Sequence, residues 1–132
     1  MANLTFLAPA AGILALLFAF VLSGRVSKED EGTDRMKEIA QAIREGANAF
    51  LMAEYKILVI FVIILFILIG LGLKSWTTAA AFIVGALFST AAGYCGMKVA
   101  TKANVRTANA ARVGGQNRAL SIAFSGGAVM GM

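Results

Sequence analysis

Three stretches without a single charge decide what this chain can fold into. Leu4 to Ser23, Ile57 to Leu73 and Thr77 to Met97 contain no Asp, Glu, Lys or Arg, although the chain holds twelve Lys and Arg and seven Asp and Glu. At about 1.5 Å of helix rise per residue, runs of this length reach across a hydrocarbon layer of about 30 Å. Hydrophobic residues make up 59% of the 132 positions and charged residues 14%. A soluble core of this size would alternate polar and apolar positions along each element. Here they are segregated into blocks, which makes a bilayer the expected solvent. Lipid leaves no partner for free backbone groups, so the spans must be helical. The expected fold class is all-α, a polytopic transmembrane helix bundle.

The first run resembles a cleaved signal only in position. A signal would begin with basic residues, whereas Arg25 and Lys28 follow this run. Pro9 lies in its early turns, where a missing N–H matters least. From Ile57 to Ile69 the second run has no small or polar residue. The third is rich in Ala, Gly and Ser. Only Lys74-Ser75-Trp76 separates the two, which predicts a tight antiparallel hairpin with Trp76 at the interface. Ala119 to Met132 is again free of charge and is expected to open a fourth, truncated span. Residues 1–132 thus read as the N-terminal part of one transmembrane domain. Its spans lie at about 4–23, 57–73, 77–97 and 119–132, and its cytoplasmic segments at 24–56 and 98–118.

Orientation follows from the basic residues. Arg25 to Lys56 holds six, Lys98 to Arg118 five, the hairpin only Lys74, and the residues before Leu4 none. Positive loops stay inside, so both long segments are expected in the cytoplasm and the N-terminus outside, in a cell or inner membrane. Small residues recur every fourth position in three runs: Ala11, Ala15, Ala19 and Ser23; Ala81, Gly85, Ser89 and Gly93; Ala119, Ala123, Gly127 and Gly131. Such stripes let helix backbones approach closely. The second run has none and is expected to face lipid.

Met36, Ile39, Ile43, Ala47, Phe50 and Leu51 recur at three- and four-residue steps, which predicts an amphipathic helix over 34–55. Gly32-Thr33 marks its start. No Pro intervenes before Ile57, so one helix of about 60 Å should run into the second span. Acids on its polar face (Glu38, Glu45, Glu54) favour packing on another cytoplasmic helix over lying on anionic lipid. The third span should also continue, through an Ala-rich segment to a break at Gly114-Gly115. Lys98, Lys102 and Arg106 then share one face. All seven acids lie in the earlier segment, and the hairpin should bring Glu54 and Lys98 together as an ion pair. Two readings of the basic stripe stand: guidance of a phosphate-bearing substrate, or flanking charges that set topology.

The chain has no His and a single Cys, which removes imidazole chemistry, intramolecular disulfides and the usual zinc and haem ligand sets. No span carries an ionisable residue of the kind that ion pathways need at membrane depth. Asp30 and Asp34 are the best metal candidates, but a mixed-charge loop reads as solvated surface. Asn3-Leu4-Thr5 matches a glycosylation sequon at the membrane edge, where chance is the simpler account. Cys95 should pack as a small hydrophobe. No catalytic, cofactor-binding or metal-binding residue is expected.

Two segments resemble the membrane-bound, ion-pumping inorganic pyrophosphatases. One is Glu38-Ile39-Ala40, then Ile43-Arg44-Glu45-Gly46-Ala47-Asn48-Ala49-Phe50-Leu51 and Glu54-Tyr55-Lys56. The other runs Gly93-Tyr94-Cys95-Gly96-Met97-Lys98-Val99-Ala100-Thr101-Lys102-Ala103-Asn104-Val105-Arg106-Thr107-Ala108, then Ala110-Ala111-Arg112. The resemblance implies a sixteen-helix subunit in two rings, a homodimer, hydrolysis of magnesium pyrophosphate at the cytoplasmic side, and outward movement of H+ or Na+, with K+ as an additional cofactor in some members. It places this chain among the first outer-ring helices, with Mg2+ ligands and catalytic carboxylates elsewhere, and implies inactivity of the piece alone. Partners would be lipid, the rest of the chain, a second subunit and pyrophosphate, with no nucleic acid. The rival reading is a small standalone membrane protein serving as an assembly or interaction module. A small multidrug exporter would require an acid in the first span, which has none.

Overall fold

The computed structural model describes residues 7–132, and the sequon and the first residues of the Leu4–Ser23 run lie outside that range. Among the described residues there are three helices: α1 (Leu7–Lys28), α2 (Asp34–Gly72) and α3 (Trp76–Gly131). Each is long and apolar enough to cross a membrane. The chain is a multi-pass membrane protein with the expected all-α architecture.

α2 runs unbroken for 39 residues, about 58 Å at the helical rise, so the cytoplasmic-type segment and the second apolar run are one rod. Its start is the expected one. Thr33 is extended, and its hydroxyl accepts from the Met36 N–H at 3.4 Å, which satisfies one of the unpaired first-turn donors. At the far end the Leu73 N–H bonds the Ile69 carbonyl. The turn has Lys74 at φ 50° and hands over to Ser75, whose hydroxyl caps α3 through the Thr78 N–H. Trp76 then lies against Phe66 with ring centroids 5.9 Å apart. A Cβ on Gly70 would come within 2.7 Å of the Trp76 ring, so that position seats the indole.

α3 turns sharply at Gly115, whose φ of 77° lies in the left-handed region that residues with a Cβ rarely adopt. This is the predicted break. The limb beyond it folds back along the limb before it: Ala119 and Ile122 form a buried cluster with Ala110. A Cβ on Gly126 would sit 2.6 Å from Ala103 Cβ, and one on Gly96 would lie 3.3 Å from Met130. The apolar residues from Ala119 to Gly126 therefore lie beside 103–110, and the limb reaches the level of Gly96 only at Met130.

α1 and α2 each pack on α3 and not on one another. α3 is the hub. Leu22 and Val26 are buried on α1, and Ala15, Ala19 and Ser23 of its small-residue stripe are partly covered. The other two stripes differ from expectation. Gly85 has open space around it, whereas Ser89 and Gly93 border the crevice to α2 beside Phe82 and Ala86, and a Cβ on Gly93 would lie 3.9 Å from Tyr55 Oη. In the last limb the close contact is made by Gly126, not Gly127, which has open space around it. Helical drift over the 3.6-residue period moves the buried row from a strict four-residue step to Ala119, Ile122 and Gly126. Most of the second run is exposed, and the apolar windows of the other two helices are no more buried.

Candidate functional site

The loop joining α1 to α2, Glu29 to Thr33, is acidic at three consecutive positions and would repel itself if left alone. α3 supplies the compensation. Arg106, 7% exposed, donates from Nε to the Glu29 carbonyl at 2.9 Å and from Nη1 to the Lys102 carbonyl at 2.9 Å. Its Nη2 lies 3.0 Å from Glu31 Oε1. Arg44 of α2 reaches the same oxygen at 3.2 Å. Beyond the kink, Arg118 pairs with Glu29 Oε2 at 2.9 Å. Asn109 Nδ2 donates to the Asp30 carbonyl at 3.3 Å and is itself steadied by Arg112 at 3.1 Å. Gly32, at φ 86°, fits against Asn109 and Met36 where a Cβ would collide. One loop is thus clasped by α2 and by both limbs of α3.

Glu31 shows the balance of forces. Burial raises its pKa, but the hydrogen bond from Arg44 and the charges of Arg106 and Arg44 outweigh burial and hold it below the ordinary value of 4.5. Its carboxylate stays ionised at neutral pH.

Arg106 was expected to share an open basic face with Lys98 and Lys102, and it is instead committed to the clasp. Glu54 and Lys98 do not pair: both side chains are exposed, and Lys98 Nζ sits over the Tyr94 ring at 5.4 Å on its own helix. The inter-helix ion pairs involve the connecting loop instead, because the loop's backbone brings its acids into the crotch between the helices. Cys95 is exposed, not packed; α2 covers a different side of α3. Asp30 Oδ1 accepts the Gly32 N–H at 3.0 Å, and Asp34 faces Lys37 at 3.2 Å. With Glu29 and Glu31 held by arginines, these carboxylates do not fit a Mg2+ site, which needs anionic oxygens free to face the ion. Among the described residues no three His, Cys, Asp or Glu gather within reach of a metal.

Helices of membrane length meeting at an ion-paired clasp define a polytopic membrane protein built around the α2–α3 hairpin. The sequence profile of the family described as inorganic H+ pyrophosphatase matches residues 13–132, and the chain belongs to that family. It is similar to a putative K+-stimulated pyrophosphate-energized sodium pump of Clostridium tetani, 59% identical over 92% of this chain and 18% of the relative. A K+-insensitive pyrophosphate-energized proton pump of Methanosarcina mazei is 48% identical over 100% of this chain and 20% of the relative. A K+-stimulated pyrophosphate-energized sodium pump of Thermotoga maritima is 45% identical over 99% of this chain and 18% of the relative. The chain spans about a fifth of the length of these relatives.

Proposed function

We propose that this chain is scaffold for a membrane pump that couples hydrolysis of pyrophosphate to outward movement of H+ or Na+, and that it carries neither the hydrolytic residues nor the ion path. The observation behind this reading is the division of charge. Every ionisable residue of α1 to α3 lies outside the apolar runs apart from Tyr94 and Cys95 at the edge of one, whereas moving an ion across a bilayer calls for carboxylates or bases at depth. Glu29 and Glu31 of the clasp are already neutralised by arginine. Relatives named for sodium and for protons match over the same region, which supports placing ion choice outside it.

In this reading the N-terminus faces outward, the clasp is cytoplasmic in a cell or inner membrane, and the helices belong to the outer layer of a homodimeric bundle. Residues 1–132 then form the N-terminal part of its transmembrane domain. Magnesium, and potassium where it is needed, would be held by residues other than these.

The test is a chimaera in which this chain replaces the matching portion of the Methanosarcina mazei proton pump. Inverted vesicles bearing the chimaera are expected to hydrolyse pyrophosphate and accumulate protons, as read by a pH-sensitive dye. A change of transported ion to sodium would overturn the scaffold reading.

A further inference from the structure

We propose that the crevice between α2 and α3, at the charged end of their hairpin, binds an anionic phospholipid. A cavity of about 100 Å³ opens there, walled by Arg44 and Asn48 of α2 and by Tyr94, Lys98 and Lys102 of α3. No acid lines it. Among the described residues neither Lys98 nor Lys102 has an ion-pair partner, since Arg106, the third member of their row, is committed to the clasp. Arg44 gives Nη1 to Glu31, but its Nε is buried without any partner. A buried N–H left unpaired is costly, and a phosphate oxygen satisfies such a donor well.

A second, larger space adjoins this one. An apolar crevice of about 440 Å³ shares Leu51 and Met97 with the basic cavity and runs down the hairpin past Leu58, Phe61, Phe82 and Ala86. Glu54 stands on its wall, about one turn from Leu51, and not in the basic cavity. The two spaces together suit a molecule with an anionic head and a hydrocarbon tail. Free phosphate would leave the crevice unused, and a neutral hydrocarbon would leave Lys98 and Lys102 unanswered.

Depth points to the same occupant. Lys98 directly follows the third apolar run, and Lys102 lies about 6 Å further along the helix. A headgroup layer is about 5 to 8 Å thick on each side of the hydrocarbon. The two lysines therefore bracket the level of lipid phosphates, where basic residues attract anionic headgroups.

The experiment reconstitutes the Methanosarcina mazei pump chimaera that carries this chain in phosphatidylcholine vesicles and compares its association with spin-labelled phosphatidylglycerol and spin-labelled phosphatidylcholine. Phosphatidylglycerol is expected to be preferred severalfold. Replacing both lysines (Lys98→Gln with Lys102→Gln) should lower the preference, by up to about fivefold per lysine. Replacing Arg25 and Lys28 with Gln, the same charge change on α1, should leave it intact, as should Lys98→Arg with Lys102→Arg. Ala86→Phe, which fills the crevice without touching charge, should weaken retention. Should the glutamine pair lose helicity by circular dichroism, the arginine pair and Ala86→Phe decide the matter. Equal loss in the α1 control would mean diffuse attraction and overturn the proposal. So would displacement of the lipid by millimolar inorganic phosphate or pyrophosphate, which would mark a site for the free anion, or retention unaffected by Ala86→Phe.

Discussion

Three acceptors meet the guanidinium of Arg106: two backbone carbonyls and the Glu31 carboxylate. A planar fork with five donors can serve all three at once, and a lysine cannot. Removing one partner of a buried pair costs about 3 kcal/mol or more, mainly because the other charge is stranded. Here Glu31 keeps Arg44, so Arg106→Gln should fall at the lower end, about 3 kcal/mol. The measurement is hydrogen exchange at the backbone amides of residues 29–33, which should speed up in this variant. Acid should lower their protection too. Because the folded-state pKa of Glu31 lies below 4.5, its contribution is full above that value and is lost as pH falls through the folded value. Protection of the loop amides, taken relative to the intrinsic exchange rate at each pH, should therefore fall only below about pH 4.5, and Glu31→Gln should abolish that acid-dependent step. Loss of protection already at about pH 6 would show that another group controls the loop.

At the level of the helices, adjacent glycines make opposite demands. Gly126 is pressed on Ala103 while Gly127 stands in the open. Gly126→Ala should force the two limbs of α3 apart at a cost of about 1 to 3 kcal/mol, whereas Gly127→Ala should stabilise by up to about 1 kcal/mol through helix propensity. Thermal unfolding in lipid nanodiscs compares the pair, and equal effects would contradict the packing described. Helix extents could be read from the chain itself. Thr33 announces a cap, no Pro or Gly cluster interrupts 34–72, and Gly114-Gly115 announces a break. Such signals are local, set by one or two residues. Which glycine is buried, and that Glu29 and Glu31 rather than Glu54 are the acids paired with other helices, depends on how the last limb folds back and where a five-residue loop lands. Contacts across 77 and 89 residues fix these details, and no short-range period encodes them. The exposure of Cys95 belongs with them, since the covered side of α3 is set by its partners.

For the molecule as a whole, the charge map makes the strongest claim. With Cys95→Ser as background, a cysteine at Ser75 should react with a membrane-impermeant maleimide applied to intact cells, and one at Ser27 should react only after permeabilisation. The reverse pattern would invert the proposed topology.

The clasp also imposes an order on biosynthesis. Glu29 and its partner Arg118 are separated by 89 residues. At about 5 to 20 residues per second, a ribosome takes roughly 4 to 18 s to make that stretch. During the interval α1 and α2 must already be inserting while their acidic connection has neither Arg106 nor Arg118 to neutralise it. The loop is locked last, after the hairpin has formed and the final limb has turned back, so closure of the clasp records that everything before it is in place.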